Sequence, residues 1–239
     1  MSEIKNGVFN GNVLIQEKGS IGGAKHVFVK LQGQKDWQVF PTFGAKVKNP
    51  FKGTAKLFAG DLVEYRTDDD GLNPELYILK TFKVADTVAA SGTTIYVERD
   101  GYKHVPFVGD ILMKAPTAFA TAGAAYAVTA VEETTHSAKD VWKITVATAL
   151  GALTAGDILV EADKSHATEA KMLVQNPNMI CPNDYDFVYF PLASSSNQTG
   201  ARYYFTPIMH GVMYTNRMSP MPAVVKGINK SNVNGWFEL

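Results

Sequence analysis

Thr154-Ala155-Gly156-Asp157-Ile158-Leu159-Val160 is a phrase that this chain uses three times. The earlier copies read Phe58-Ala59-Gly60-Asp61-Leu62-Val63-Glu64 and Phe107-Val108-Gly109-Asp110-Ile111-Leu112-Met113. In each, Gly admits positive φ and Asp can bond its own nearby backbone, so the pair turns the chain. The aliphatic run behind it suits a buried strand. The glycines stand 49 residues apart (60 to 109) and then 47 (109 to 156), a period that points to a repeated unit. Gly60, Asp61, Gly109, Asp110, Gly156 and Asp157 are therefore the expected structural turns.

The second and third copies extend backwards. Tyr77 to Ala115 can be laid beside Tyr126 to Ala162. Each stretch opens on a strand, passes a polar loop, and continues with Thr94-Ile95-Tyr96-Val97 or Val141-Trp142-Lys143-Ile144-Thr145-Val146. A turn then leads into the Gly-Asp strand. Trp142, Ile144 and Val146 share one face at period 2. Ala115 to Ala130 is rich in Ala and Thr but broken by Pro116 and Gly123, and reads as an extended linker with one helical turn. The expected fold is mainly β, a β-barrel or β-sandwich built from two related strand–turn–strand units, with extended terminal segments. Three spans follow: 1–56, an N-terminal arm and first strands; 57–162, the repeated β units; 163–239, an aromatic-rich β region and extended tail.

Composition limits the function classes. The 239 residues include 23 basic and 23 acidic side chains, so the formal charge is zero. Nucleic acid calls for a basic excess, and so does an anionic membrane surface; neither is an expected partner. A neutral chain lacks the repulsion that keeps copies apart, which suits self-association. Cys181 is the single cysteine, so no intrachain disulfide and no Cys-type zinc cluster is expected. Met1 to Asn6 opens no apolar signal segment, and no apolar run reaches membrane-spanning length, so synthesis in a cytoplasm is expected.

Local signals fill in the rest. Residues 1–25 are rich in Gly and Asn around one apolar run, Val13-Leu14-Ile15, and read as an arm or a loose first strand. Val27, Val29 and Leu31 share a strand face. Thr67-Asp68-Asp69-Asp70-Gly71 opens like a calcium loop, but counted from Asp68 it lacks Gly at the sixth position and Glu at the twelfth, and it reads as a solvated acidic turn. Arg99-Asp100-Gly101-Tyr102 carries the Asp-Gly pair of a two-residue hairpin turn. Ser165 to Val174 is the best helix candidate, with Ser165 as cap and Asn176-Pro177 as stop. Phe187-Val188-Tyr189-Phe190 and Ala201-Arg202-Tyr203-Tyr204-Phe205 flank a polar loop and read as strand–loop–strand. Met209, Met213, Met218 and Met221, followed by Trp236 and Phe237, form a candidate interface, because Met adapts to irregular surfaces and an apolar terminus packs against something.

Catalytic chemistry has no constellation to stand on. The five His residues (26, 104, 136, 166, 210) are isolated in sequence, and there is no serine-hydrolase elbow and no phosphate loop. No catalytic, metal or cofactor residues are assigned. The remaining enzyme reading is a hydrolase using Asp184 and Asp186, or Cys181 with a His brought near in space.

Leu153-Thr154-Ala155-Gly156-Asp157-Ile158-Leu159-Val160-Glu161-Ala162 resembles phrases of the small β proteins that decorate tailed-bacteriophage heads, the auxiliary (decoration) capsid proteins and head-fibre proteins. The resemblance spans residues 57 to 162. It implies a virion protein on the capsid surface that binds the major capsid protein, associates with itself, often as a trimer, and needs no cofactor. A second reading is a head- or tail-fibre component that holds host-surface glycans through exposed aromatic side chains.

Overall fold

The structure, a computed structural model, describes residues 7–9, 13–15, 28–29, 45–49, 51, 56–66, 75–101, 103–181, 185–186, 202–203, 211–213, 218–225 and 236–238. Among them the strands run in order β1 (Gly7–Phe9), β2 (Val13–Ile15), β3 (Phe28–Val29), β4 (Ala45–Val47), β5 (Lys56–Leu57), β6 (Leu62–Arg66) and β7 (Glu75–Ile78). Next come β8 (Thr81–Lys83), β9 (Thr94–Glu98), β10 (Ile111–Lys114), β11 (Gly123–His136), β12 (Lys139–Val146), β13 (Ile158–Glu161) and β14 (His166–Ala170). The last are β15 (Met179–Ile180), β16 (Tyr185–Asp186), β17 (Arg202–Tyr203), β18 (Gly211–Met213) and β19 (Trp236–Glu238). The one helical turn described covers residues 223–225. The fold is mainly β and sandwich-like, and among the described residues no strand ladder closes it into a barrel.

The chain gathers into two compact units, each drawn from separate stretches. The first comprises Met1–Ile78, Asn178–Met218 and Asn229–Leu239. Its largest sheet has the order β15-β6-β7-β4-β17, antiparallel except for the β4–β7 pair. Leu76 and Ile78 alternate inward on β7 and pack with Val47, Phe51, Val63, Met179 and Cys181. The partly exposed residues between them bond each other: the Tyr77 hydroxyl donates to Glu75, and the Arg66 guanidinium lies 3.9 Å from the centre of the Tyr77 ring. Two asparagines extend the sheet with side-chain amides that imitate backbone. Asn49 bonds both the N–H and the C=O of Ile78, and Asn178 does the same for Tyr65. The short pairs β1–β2 and β5–β16 are antiparallel, and β18 lies between β3 and a parallel β19.

The second unit, Leu79–Pro177 with Ser219–Ile228, is where the repeat is realised. Its strand path is β8-β13-β10-β11-β12-β9, with β14 added beside β11. The ends of the path meet at one bridge, Val84 opposite Val97, and one bond from the Ala85 N–H to the Tyr96 carbonyl. The first half of β11 pairs with β10 and the second half with β12, the register shifting between Val128 and Ala130. A bulge of this kind lets one strand serve two packed sheets. Between them lies a core that includes Phe82, Ile95, Val97, Leu112, Val128, Ile144, Val146 and Leu159.

An internal two-fold relates β8-β9-β10 to β11-β12-β13. Residues that correspond stand opposite each other where the halves meet: Ile95 faces Ile144, and Met113 faces Val160. The Ala115 N–H donates to the Ile158 carbonyl and the Ala162 N–H to the Ile111 carbonyl, both at 2.8 Å. Phe82 faces Leu159 as Tyr126 faces Leu112. The expected alignment is thus correct at its end, Ala115 with Ala162, and wrong at its start. Tyr126 corresponds to Phe82, whereas Tyr77 belongs to the sheet of the first unit. The displacement between the halves is 44 residues in the first strand (82 to 126), 49 in the second (95 to 144) and 47 in the third (113 to 160), because the loops between them differ in length.

Three other expectations are corrected. Ser165 to Val174 is not a helix: His166–Ala170 is a strand against β11, and Ala170, Met172 and Val174 are buried at period 2. The stretch Ala115 to Ala130 is a linker only as far as residue 122, beyond which β11 begins. Small side chains let that strand be covered closely, and a Cβ on Gly123 would sit 3.5 Å from the Met113 methyl. The Asp-Gly pair Asp100-Gly101 closes no hairpin among the described residues, since β9 pairs with β12. The tight two-residue turn is Ser137-Ala138, between the facing residues His136 and Lys139, with φ of +50° and +60°. Both angles are those of a type I′ turn, which twists as the strands do. The acidic turn at 67–71, residues 187–190, Ala201 and Tyr204-Phe205 lie outside the described residues.

Candidate functional site

The three Gly-Asp phrases fold into the same turn. In each, the Asp Oδ2 accepts the backbone N–H three residues before it, and the Asp N–H returns to that residue's carbonyl. The pairs are Phe58 with Asp61, Phe107 with Asp110, and Thr154 with Asp157. Gly60, Gly109 and Gly156 hold φ of +84°, +90° and +95°, the left-handed region that strains a residue with a Cβ. Each turn also clasps a neighbouring strand. The Gly N–H donates to the carbonyl of Cys181, Val128 or Val84, at 2.7, 2.7 and 2.8 Å. The N–H of that same residue returns to the carbonyl of Asp61, Asp110 or Asp157, at 2.9, 2.8 and 2.8 Å. The phrase is therefore a device that starts a strand and fixes its partner in register.

What surrounds the carboxylates differs. Asp157 is paired with Lys114 at 2.7 Å, and that lysine is 48% exposed. Burial works against the Asp157 carboxylate, but the Lys114 ammonium and the Thr154 bonds outweigh it and hold its carboxyl below the usual range. Asp110 occupies the related position in the other half and is 2% exposed. Lys80, 3% exposed, places its Nζ 3.7 Å from Asp110 Oδ1 and 3.2 Å from Glu161 Oε1. Glu161 stands where the two-fold puts Lys114, so the lysine of one half is answered by an acid in the other. The required cation comes from Lys80, whose counterpart is Ala124. Strand order explains the convergence. β13, which carries Glu161, lies between β8, which Lys80 precedes, and β10, which Asp110 precedes. Asp110 Oδ1 is buried without a hydrogen-bond partner, and so is Oγ1 of Thr81, the residue after Lys80. His104, also buried, accepts the Thr81 N–H at Nδ1 over 3.0 Å, so its ring proton sits on Nε2.

The remaining candidates scatter. Cys181 is buried in the first unit as the strand partner of Asp61, and no His is among the residues of its core cluster. Asp186 lies on β16, and Asp184 is outside the described residues. His136 stacks on Tyr96 and bonds Asp86 at 2.8 Å, which holds the Asp86 carboxyl below its usual range. Of the interface candidates, Met218 is buried in its own chain and Met221 is half-buried. Met213 falls on β18, Trp236 and Phe237 on β19, and Met209 is outside the described residues. No cluster of three potential metal ligands occurs among the described residues, and none of their helices is long and apolar enough to cross a membrane.

Sequence reading gave no role to Lys80, to His104, noted only as an isolated histidine, or to Glu161, quoted only within the third phrase. The available signal was Leu79-Lys80-Thr81-Phe82, a lysine set between residues of a buried strand. No family model matches the chain, and no curated protein or solved structure matches it.

Proposed function

We propose that the chain is a structural virion protein, an auxiliary subunit that binds the assembled phage capsid and stabilises it by surface contact. Its partners in this reading are the coat protein and further copies of itself, and it turns over no small substrate and uses no cofactor. The observation that supports this most is how the polar side chains are used. The aspartates of the phrase that carries the resemblance close turns and clasp strands. Most charged groups of the second unit bond one another, as in Lys83–Glu98, Arg99–Glu133 and Lys143–Glu132. The large apolar groups left outward among the described residues are Val105 and Val108, the latter 55% exposed, on the loop before the second Gly-Asp strand.

An apolar contact of this kind is little steered by charge, so binding should change only slightly with salt. The test is co-sedimentation of the purified chain with empty coat-protein shells. Val108→Asp should lose shell binding while keeping the β-type circular dichroism of the parent. Deletion of 232–239, which removes β19, should lower occupancy or self-association. A parent chain that stays in the supernatant at every salt concentration refutes the capsid reading.

A further inference from the structure

We infer that Lys80 and Asp110 are joined by an intramolecular isopeptide bond, formed by the chain itself with Glu161 as the proton carrier. The three groups meet the requirements of that condensation. The nucleophile and the electrophile are both almost wholly buried, with Nζ 3.7 Å from Oδ1. Leu79 and Thr81 flank Lys80, and Val160 and Ala162 flank Glu161, and all four are buried. Water, which competes for ammonium and carboxylate elsewhere on the chain, is kept from the pair. The condensation begins with transfer of one proton from the Lys80 ammonium to the Asp110 carboxylate, which gives the reactive amine and acid.

The two oxygens of Asp110 are already differentiated. Oδ2 accepts the Phe107 N–H at 2.9 Å, while Oδ1 has no hydrogen-bond partner and faces Lys80. Attack of the Nζ lone pair on Cγ places negative charge on Oδ2, where the Phe107 N–H stabilises it. The Glu161 carboxylate, 3.2 Å from Nζ, takes the proton that nitrogen sheds and passes it to Oδ1. The Cγ–Oδ1 bond breaks and Oδ1 leaves as water. No oxidant or further reagent is consumed. The product amide keeps Oδ2 as its carbonyl oxygen, so the Phe107 bond and the turn persist. The bond ties the segment before β8 to the segment before β10 across the intervening β13, which carries Glu161.

The chain contains its own control. Lys114 and Asp157 are closer, at 2.7 Å, but the lysine is half exposed and its contact is to Oδ2, the oxygen already bonded to the Thr154 N–H. That pair should remain ionic.

The experiment is intact-mass measurement of the purified full chain, followed by proteolysis and tandem mass spectrometry. The expected result is a mass lower by one water and a branched peptide joining Lys80 to Asp110, with Lys114 and Asp157 unlinked. Lys80→Arg, which keeps the charge, should restore the full mass. A cyclic imide at Asp70-Gly71 or Asp100-Gly101 would also lose one water, but would survive that substitution. Glu161→Gln should leave the bond unformed in most molecules. A parent chain that retains its full mass after prolonged incubation overturns the inference without any variant having to fold. A branch point at Glu161 overturns the choice of Asp110, and a bond formed equally fast in Glu161→Gln overturns the role given to Glu161.

Discussion

The two halves of the second unit share a backbone and differ in what they enclose. Asp110 and Asp157 close the same turn, clasp the same kind of neighbour and stand at related places. One is packed against a buried lysine and a second acid, and the other meets a lysine at the surface. Duplication of a strand–turn–strand unit thus fixes hydrogen-bond geometry without fixing chemistry. The environment of each copy is set by side chains around it, Lys80 from Asp110's own half and Glu161 and Lys114 from across the two-fold, and those are free to diverge.

The largest test of this comparison is in the core. Ile95 and Ile144 correspond, face each other and are fully buried, so Ile95→Ala and Ile144→Ala should each cost about 2–5 kcal/mol in urea unfolding. If the two-fold holds energetically, the two losses agree to within about 1 kcal/mol. A gap much wider than that would show that the halves are alike in path only.

The turns should separate where the core does not. Asp110→Ala removes the group to which Lys80 is joined and leaves that buried lysine with Glu161 alone, so it should cost at least about 3 kcal/mol, against about 1 kcal/mol for Asp157→Ala, whose carboxylate is partly hydrated. Equal losses would mean that turn closure, common to both, is all that either aspartate contributes. Gly156→Ala isolates the backbone contribution. A Cβ there meets nothing within 4 Å, so the expected cost of about 1–2 kcal/mol is the strain of a φ of +95°. Gly123→Ala, with one ordinary contact to Met113, should change stability by less than about 0.5 kcal/mol.

The smallest effect is the most specific to the exposed site. The Asp157 carboxyl is depressed in the folded chain, so the unfolded chain binds that proton more readily. The stability this contributes is present above about pH 4, the unfolded value, and is lost as pH falls through the folded value. Glu98 behaves likewise: burial opposes its ionised form, and Lys103 and Lys83 outweigh it. Lys114→Met should therefore destabilise by less than about 1 kcal/mol at neutral pH. That difference should vanish in acid, below the folded value of Asp157. A difference that persists unchanged into acid would place the role of Lys114 in packing rather than in its charge.

Much of this was legible in the chain. Local chemistry alone predicts that Gly-Asp followed by aliphatic residues turns and then extends, because the glycine tolerates positive φ and the aspartate bonds its own backbone. Period 2 in Ile144 and Val146, and the shared endings at Ala115 and Ala162, carry the duplication. The misreadings have a common cause. Ser165 to Val174 offers a helix cap, yet the side of β11 away from β10 offers a ladder, and pairing with that strand won over local propensity. Asp100-Gly101 is a good hairpin turn in isolation, but the partner of β9 comes from the other half of the unit, where Ser137-Ala138 accepts a strained turn to keep a long ladder in register.

By itself, then, the sequence determined the mainly β character, the three Gly-Asp turns with the strands that follow them, and the recurrence of that unit, since each depends on residues within a few positions of one another. Only the tertiary structure decided which strands pair, that the first Gly-Asp strand belongs to a different unit from the other two, and that Lys80, Asp110 and Glu161 converge. Those outcomes depend on β13 lying between β8 and β10. That order is selected by the burial of apolar faces from both halves at once, and no local pattern encodes it.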